Sequence, residues 1–229
     1  MSLINFHTHS GNQTFEEGPE IHSLSWPEEN HELLHEQGLF SLGIHPWSLG
    51  QKKIDWDEFE RMILTIYERD NFFALGETGI DLVKKNHLKE QEKIFEKHIQ
   101  LANKIRKPLI IHCVRAQNLI IKYSKKYINH TPWVLHDFNA NEQMISDMVK
   151  RDFYFSLGPT ILKETSKIRQ NIRLVPIDRI FIETDDSNYS IKHMYNEMAS
   201  LLKIDVNALA SEIEKNFLRL KYFDEFTKS

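Results

Sequence analysis

The sequence predicts an α/β fold, a TIM (β/α)8 barrel somewhat reduced in size. Three observations carry this expectation. Eight short apolar runs rich in β-branched and aromatic residues recur along the whole length. Helix-like segments lie between most of them, and side chains of the metal-ligand type follow directly after five of the runs. Alternation of this kind predicts a parallel sheet, and eight strands close naturally into a barrel.

The runs are residues 3–6, 21–25, 40–44, 72–75, 109–111, 133–135, 153–157 and 180–182, each short enough for a strand buried on both faces. Residues 55–69 place Trp56, Phe59, Ile63 and Ile66 at helical spacing behind an Asp55 N-cap. Residues 88–106 put Ile94, His98, Leu101 and Ile105 on one face, with Glu and Lys on the other. Residues 117–127 and 141–150 repeat the pattern, and 205–222 close the chain with the same period. The connection from Ser10 to Glu20 is polar and carries glycine without helical period, so the first βα connection is expected to be shortened to a loop. At 229 residues the chain is also short for a fold of typically ~250. No repeat, low-complexity tract or Gly/Ser linker interrupts it, so residues 1–229 read as a single domain.

Composition narrows the function classes. Lys and Arg number 29 against 33 Asp and Glu, a net charge of −4, which argues against a long electropositive face for gripping duplex nucleic acid. A small site where bound metal supplies positive charge remains open. The single cysteine excludes an internal disulfide framework and a cysteine-based zinc cluster. No run of ~18 apolar residues predicts a membrane span. The start, Met1 to His7, lacks a basic region followed by an apolar stretch, so a reducing cytoplasm is expected, with no membrane and no obligate protein partner.

The chemistry is concentrated at strand ends. His7-Thr8-His9 follows the first run; residues i and i+2 of a strand point the same way, so both imidazoles can meet one ion. Glu77 follows the fourth run, His112 the fifth, His136 the sixth and Asp185 the last. Strand C-termini share one face of a (β/α)8 barrel, where its catalysis takes place. Four histidines and two carboxylates are about enough for two divalent ions (zinc, manganese or magnesium) bridged by a carboxylate and a water. Any one histidine at a strand end is more often a hydrogen-bonded structural residue; the joint placement of six ligand types favours a metal site. His45, in Gly43-Ile44-His45-Pro46-Trp47, and Arg115 are candidates for contact with substrate, against readings as a structural residue and a helix-start ion pair. His22, His31, His35, His87, His130 and His193 lack convergent context and read as surface or loop residues. His98 reads as packing, and Cys113, facing oppositely to His112, as packing outside the barrel. Single-strand substrates usually want stacking aromatics; Trp47, Phe138, Tyr189 and Phe15 are candidates, although packing is the commoner use of any one.

Six motifs occur in order: Asn5-Phe6-His7-Thr8-His9; Gly43-Ile44-His45-Pro46; Gly76-Glu77-Thr78-Gly79-Ile80-Asp81; Pro108 to His112 with Arg115-Ala116; Val134-Leu135-His136-Asp137-Phe138; and Ile182-Glu183-Thr184-Asp185. Together with Asn216-Phe217-Leu218-Arg219-Leu220 near the end, the set resembles the TatD family of metal-dependent deoxyribonucleases, within the amidohydrolase-like superfamily. The resemblance implies a barrel hydrolase with two divalent ions that cleaves phosphodiester bonds, often of single-stranded DNA from the 3′ end. It implies that His7 and His9 bind one ion with Asp185, that Glu77 bridges both, and that His112 and His136 hold the second. Asp185 would also deprotonate the attacking water, and His45 and Arg115 would face substrate phosphate. Asn5 stands where the family usually has Asp, and Ser10-Gly11 where it commonly has Leu-Asp. The distance from His9 to His45 (45 − 9 = 36 positions) is shorter than usual for the family. Asp186-Ser187 replaces a small residue and Pro after Asp185, and the residues after His136 also differ. These departures remove no expected ligand and alter the loops around the mouth. The rival readings are an amidohydrolase or lactonase acting on a small carbonyl substrate, and a non-catalytic metal-binding barrel.

Overall fold

Eight strands form one sheet whose order, β1 to β8, follows the chain. They are β1 (Asn5–Thr8), β2 (Glu20–Ser25), β3 (Leu39–Gly43), β4 (Phe72–Asp81), β5 (Leu109–Val114), β6 (Trp133–Leu135), β7 (Tyr154–Leu157) and β8 (Ile180–Ile182). Pairings β1/β2, β3/β4, β4/β5, β6/β7 and β7/β8 are parallel. A parallel bridge from Thr8 to Asp185 joins β1 to the residues leaving β8, as a barrel requires. This is a computed structural model, and it describes residues 2–9, 18–27, 38–51, 53–127 and 130–223. The α-helices among these are α1 (Trp56–Ile66), α2 (Leu88–Ile105), α3 (Gln117–Lys126), α4 (Glu142–Val149), α5 (Lys167–Asn171), α6 (Ile191–Leu202) and α7 (Val206–Lys221). The chain divides into two compact units, residues 1–22 with 134–229, and residues 23–133.

In the first unit, Phe6 of β1 stacks on Phe181 of β8 with ring centroids 4.0 Å apart. The hydroxyl of fully buried Tyr195 on α6 accepts from the Ile4 amide and donates to the Ile4 carbonyl, both at 3.1 Å, fixing the entry to β1. Asn216 of α7 donates to the carbonyls of Ile177 and Ile180 at 2.9 and 3.0 Å, so the closing motif anchors the start of β8.

In the second unit, Asp55 caps α1 by accepting from the Glu58 amide at 3.1 Å, and Phe59, Ile63 and Ile66 face the core as the spacing predicts. Strand β4 runs ten residues, to Asp81, whereas the apolar run in the sequence covers only residues 72–75. The extension includes Gly76 and Gly79, which interrupt the apolar run in the sequence. With φ of 129° and 150°, they bring β4 against β5 so closely that a side chain at either would collide with the backbone of Ile110 or His112. Glu77 therefore stands on the strand rather than after it.

Strand β1 begins two residues later than expected. Helices α5 and α6 were not expected, although Ser190 caps α6 and Ile191, Met194, Tyr195 and Met198 are buried at helical spacing. His22 is not a surface residue: it is buried on β2, 3.8 Å from Glu20. His87, His130 and His193 are exposed, as expected. The shortened connection after His9 falls largely on residues 10–17, which lie outside the described residues, as do His31, His35 and Phe15.

Candidate metal centre

His7 lies on β1 and His9 just beyond it, and the two-residue period turns both rings to one side. Their Nε2 atoms are 3.2 Å apart. Asp185 leaves β8 with φ of +52° and brings Oδ1 within 3.8 Å of His7 Nε2 and 3.6 Å of His9 Nε2. One donor atom from each of the three residues lies within 4.8 Å of the others. Two imidazoles and a carboxylate converging in this way fit a divalent transition ion.

His136 follows β6, and its ring lies 4.6 Å from that of His7. Its Nδ1 is 3.5 Å from Oε1 of fully buried Glu183, which also accepts from the Asp137 amide at 2.7 Å. Burial opposes charge on Glu183, but the contact with His136 and the nearby His7 outweigh it and hold the carboxyl below its usual range. Between Glu183 and Asp185, Thr184 is clamped by Asn5: its amide donates to Asn5 Oδ1 at 3.0 Å, and Asn5 Nδ2 donates to its hydroxyl at 2.8 Å. Asn5 is thus matched to a site needing both a donor and an acceptor.

In the second unit, Glu77 Oε1 lies 2.6 Å from His112 Nδ1 and 3.2 Å from His45 Nε2. These three residues form a further group able to hold a metal ion. The hydrogen bonds assign distinct parts. The Trp47 amide donates to His45 Nδ1 at 3.0 Å, so a neutral His45 carries its proton on Nε2, toward Glu77. In that form His45 is a donor. Asp81 Oδ2 lies 3.5 Å from His112 Nε2 and accepts from the Trp47 indole at 2.7 Å. Burial works against its charge, but the contacts from His112, Trp47 and the Val83 amide hold its carboxyl far below the usual range.

His98 is fully buried and its ring is fixed at both nitrogens. Nδ1 donates to the Ile94 carbonyl at 2.8 Å, and Nε2 accepts from the Ile44 amide, next to His45, at 3.2 Å. Arg115 is exposed, with φ of +55°. Phe138 is buried against Phe155, as packing predicts, whereas Trp47 is 46% and Tyr189 50% exposed. The sequence motifs contain Asp81 and Glu183, but sequence reasoning gave neither a part. Their signal is a carboxylate at a strand end beside a ligand-type histidine.

Hence the class of protein is a barrel whose strands carry histidines and carboxylates grouped so that they could hold metal ions. The family described as TatD related DNase matches residues 21–221. Over 203 residues the chain is 28% identical to "Uncharacterized metal-dependent hydrolase YcfH" of Escherichia coli, covering 81% of this chain and 74% of that protein. It is 24% identical over 148 residues to "3'-5' ssDNA/RNA exonuclease TatD" of Citrobacter koseri, covering 62% and 55%. The crystal structure of YJJV, a TatD homolog from Escherichia coli, superposes with a TM-score of 0.83 at 20% identity, covering 96% of this chain and 97% of that one; this likeness supports the fold. The chain belongs to the TatD family of metal-dependent hydrolases.

Proposed function

We propose that this hydrolase cleaves phosphodiester bonds of DNA, single-stranded or at 3′ ends, using two divalent ions. The observation that carries the reading is the placing of Asp185 beside both His7 and His9, a carboxylate next to two imidazoles at strand ends. His7, His9 and Asp185 would hold one ion, and Glu77 and His112 the other, with His136 as the sixth ligand-type residue. When bound, such ions lower the pKa of water toward neutrality and polarise the phosphoryl oxygen (zinc, manganese and magnesium all suit).

The residues of the chain do the rest. Asp185 accepts the proton of the attacking water as its oxygen bonds to phosphorus and the ester oxygen departs. The Nε2–H of His45 and the guanidinium of Arg115 donate to phosphate oxygens and stabilise the charge that develops there. With a net charge of −4, attraction for nucleic acid is local to this site. A relative carrying the name of a 3′-5′ ssDNA/RNA exonuclease supports this substrate class. We place the enzyme in the cytoplasm as one domain over residues 1–229. Among the described residues no helix is long and apolar enough to cross a membrane.

The test is an assay of metal-loaded protein on single-stranded oligonucleotides, bis-p-nitrophenyl phosphate and a lactone panel. Phosphodiester turnover that chelation abolishes and added divalent metal restores is expected. Lactone hydrolysis with inert phosphodiesters overturns the proposal in favour of carbonyl chemistry. Full metal loading without turnover on any panel favours a non-catalytic barrel.

A further inference from the structure

A large aromatic side chain beside the ligand-type histidines is left facing solvent. Trp47 is 46% exposed, whereas Trp133 is buried and meets Phe95 edge-on. Its position is nevertheless tightly set. It follows Pro46 in a single 3-10 turn, Pro46–Ser48. Its amide is held by His45 Nδ1 at 3.0 Å and its indole N–H by buried Asp81 at 2.7 Å. Its ring meets the His45 ring edge-on at 5.1 Å and lies 6.0 Å from that of His112.

The loop that carries the surrounding charge is fixed as well. Asp81 Oδ1 accepts from the amides of Val83 and Lys84 at 2.7 and 3.3 Å, and Gln91 donates to the Lys84 carbonyl at 2.9 Å. Lys84 Nζ stands 4.4 Å from the centre of the indole. An exposed ring costs the fold hydrophobic burial, and a buried carboxylate spent on its N–H costs desolvation. Neither expense contributes to a core. Together they produce a rigid aromatic plate with an ammonium group over it, next to the histidine that points its N–H toward Glu77.

We infer that Trp47 is a specificity-determining residue that stacks on a nucleobase of the substrate, with Lys84 pairing with that nucleotide's phosphate. The inference rests on the phosphodiesterase reading above. A base stacks on any aromatic face without hydrogen-bond readout, so the subsite recognises the presence of a base rather than its identity. Lys84 lies over a face of the ring, and its flexible stem lets it leave that face to a base and pair with the phosphate, which adds local positive charge to an acidic protein.

The experiment compares single-stranded oligonucleotides ending in a natural nucleotide with matched ones ending in an abasic residue. Stacking of one base predicts about 5- to 100-fold lower KM for the natural end. In Trp47→Ala this discrimination collapses toward unity, and in Trp47→Phe, which keeps a stacking face, most of it remains. Equal KM for both ends in the unaltered protein overturns the inference. So does discrimination that persists in Trp47→Ala, even with a fall in kcat, because Trp47 then acts only by supporting Asp81 and His112. Titration with dAMP, followed by tryptophan fluorescence, gives a second readout. Quenching that disappears in Trp47→Phe supports the plate, and no quenching overturns it. If no substrate is cleaved, the phosphodiesterase reading fails, and the dAMP titration alone decides the subsite.

Discussion

The amide of Asp185 donates to the carbonyl of His7 at 3.0 Å, and the amide of His9 donates to the carbonyl of Asp185 at 3.2 Å. The two histidines and the carboxylate are therefore registered by backbone pairing between β1 and the end of β8, independently of their side chains. Asp185→Asn keeps this pairing. It should melt within a few degrees of the unaltered protein while turnover falls by ~10²–10⁴, the usual contribution of a general base. Near-normal turnover in that variant removes Asp185 from the proton-accepting role.

Asn5 gives a test that separates register from chemistry. Removing its side chain leaves the buried Thr184 amide without its acceptor, at about 1–3 kcal/mol. In a chain of this size each kcal/mol lowers Tm by roughly 2–4 °C. Asn5→Ala should melt correspondingly earlier in a thermal scan. Asn5→Asp should lose less, because a carboxylate still accepts from the Thr184 amide and can accept from its hydroxyl. A larger loss in Asn5→Asp than in Asn5→Ala counts against this account.

The parts of the site legible in the sequence are those that depend on period and order. His7 and His9 share a side because a strand alternates, and the segments 133–135 and 180–182 are strands because each is a short apolar run. What escaped depends on contacts remote in sequence. Glycine looks the same in a turn and in a strand pressed against its neighbour, so β4 reads too short. The partnership of Asp81 with His112 joins residues 31 positions apart (112 − 81 = 31). Trp47 carries no sequence mark separating an exposed plate from a core residue; only its exposure and the Asp81 contact do so.

Glu183 should govern how firmly His136 is presented. Its Oε1 lies 3.5 Å from His136 Nδ1 and accepts from the neighbouring Asp137 amide. Glu183→Gln can keep the amide contact while losing the charge that orients and strengthens the imidazole as a donor. Loss of such an outer partner typically weakens metal binding 10–100-fold. The measurement is metal affinity by competition with a chelator, beside a thermal melt of the metal-free protein. Unchanged affinity means that Glu183 supports only the fold.

Acid sensitivity should reside in part at His98. Burial lowers its pKa from 6.5 to about 4, opposed only weakly by its bond to the Ile94 carbonyl. Between these values the unfolded chain binds a proton that the folded chain refuses, so stability rises with pH. The contribution is complete above about 6.5 and is lost as pH falls toward 4, amounting to roughly 3 kcal/mol. Protonation at Nε2 would also turn the acceptor of the Ile44 amide into a second donor, loosening the segment that carries His45. His98→Gln can retain the Ile44 contact and does not titrate. Its Tm should fall less steeply than that of the unaltered protein between pH 6.5 and 4.5, even if it starts lower. Parallel Tm–pH curves for the two proteins would locate the acid sensitivity elsewhere.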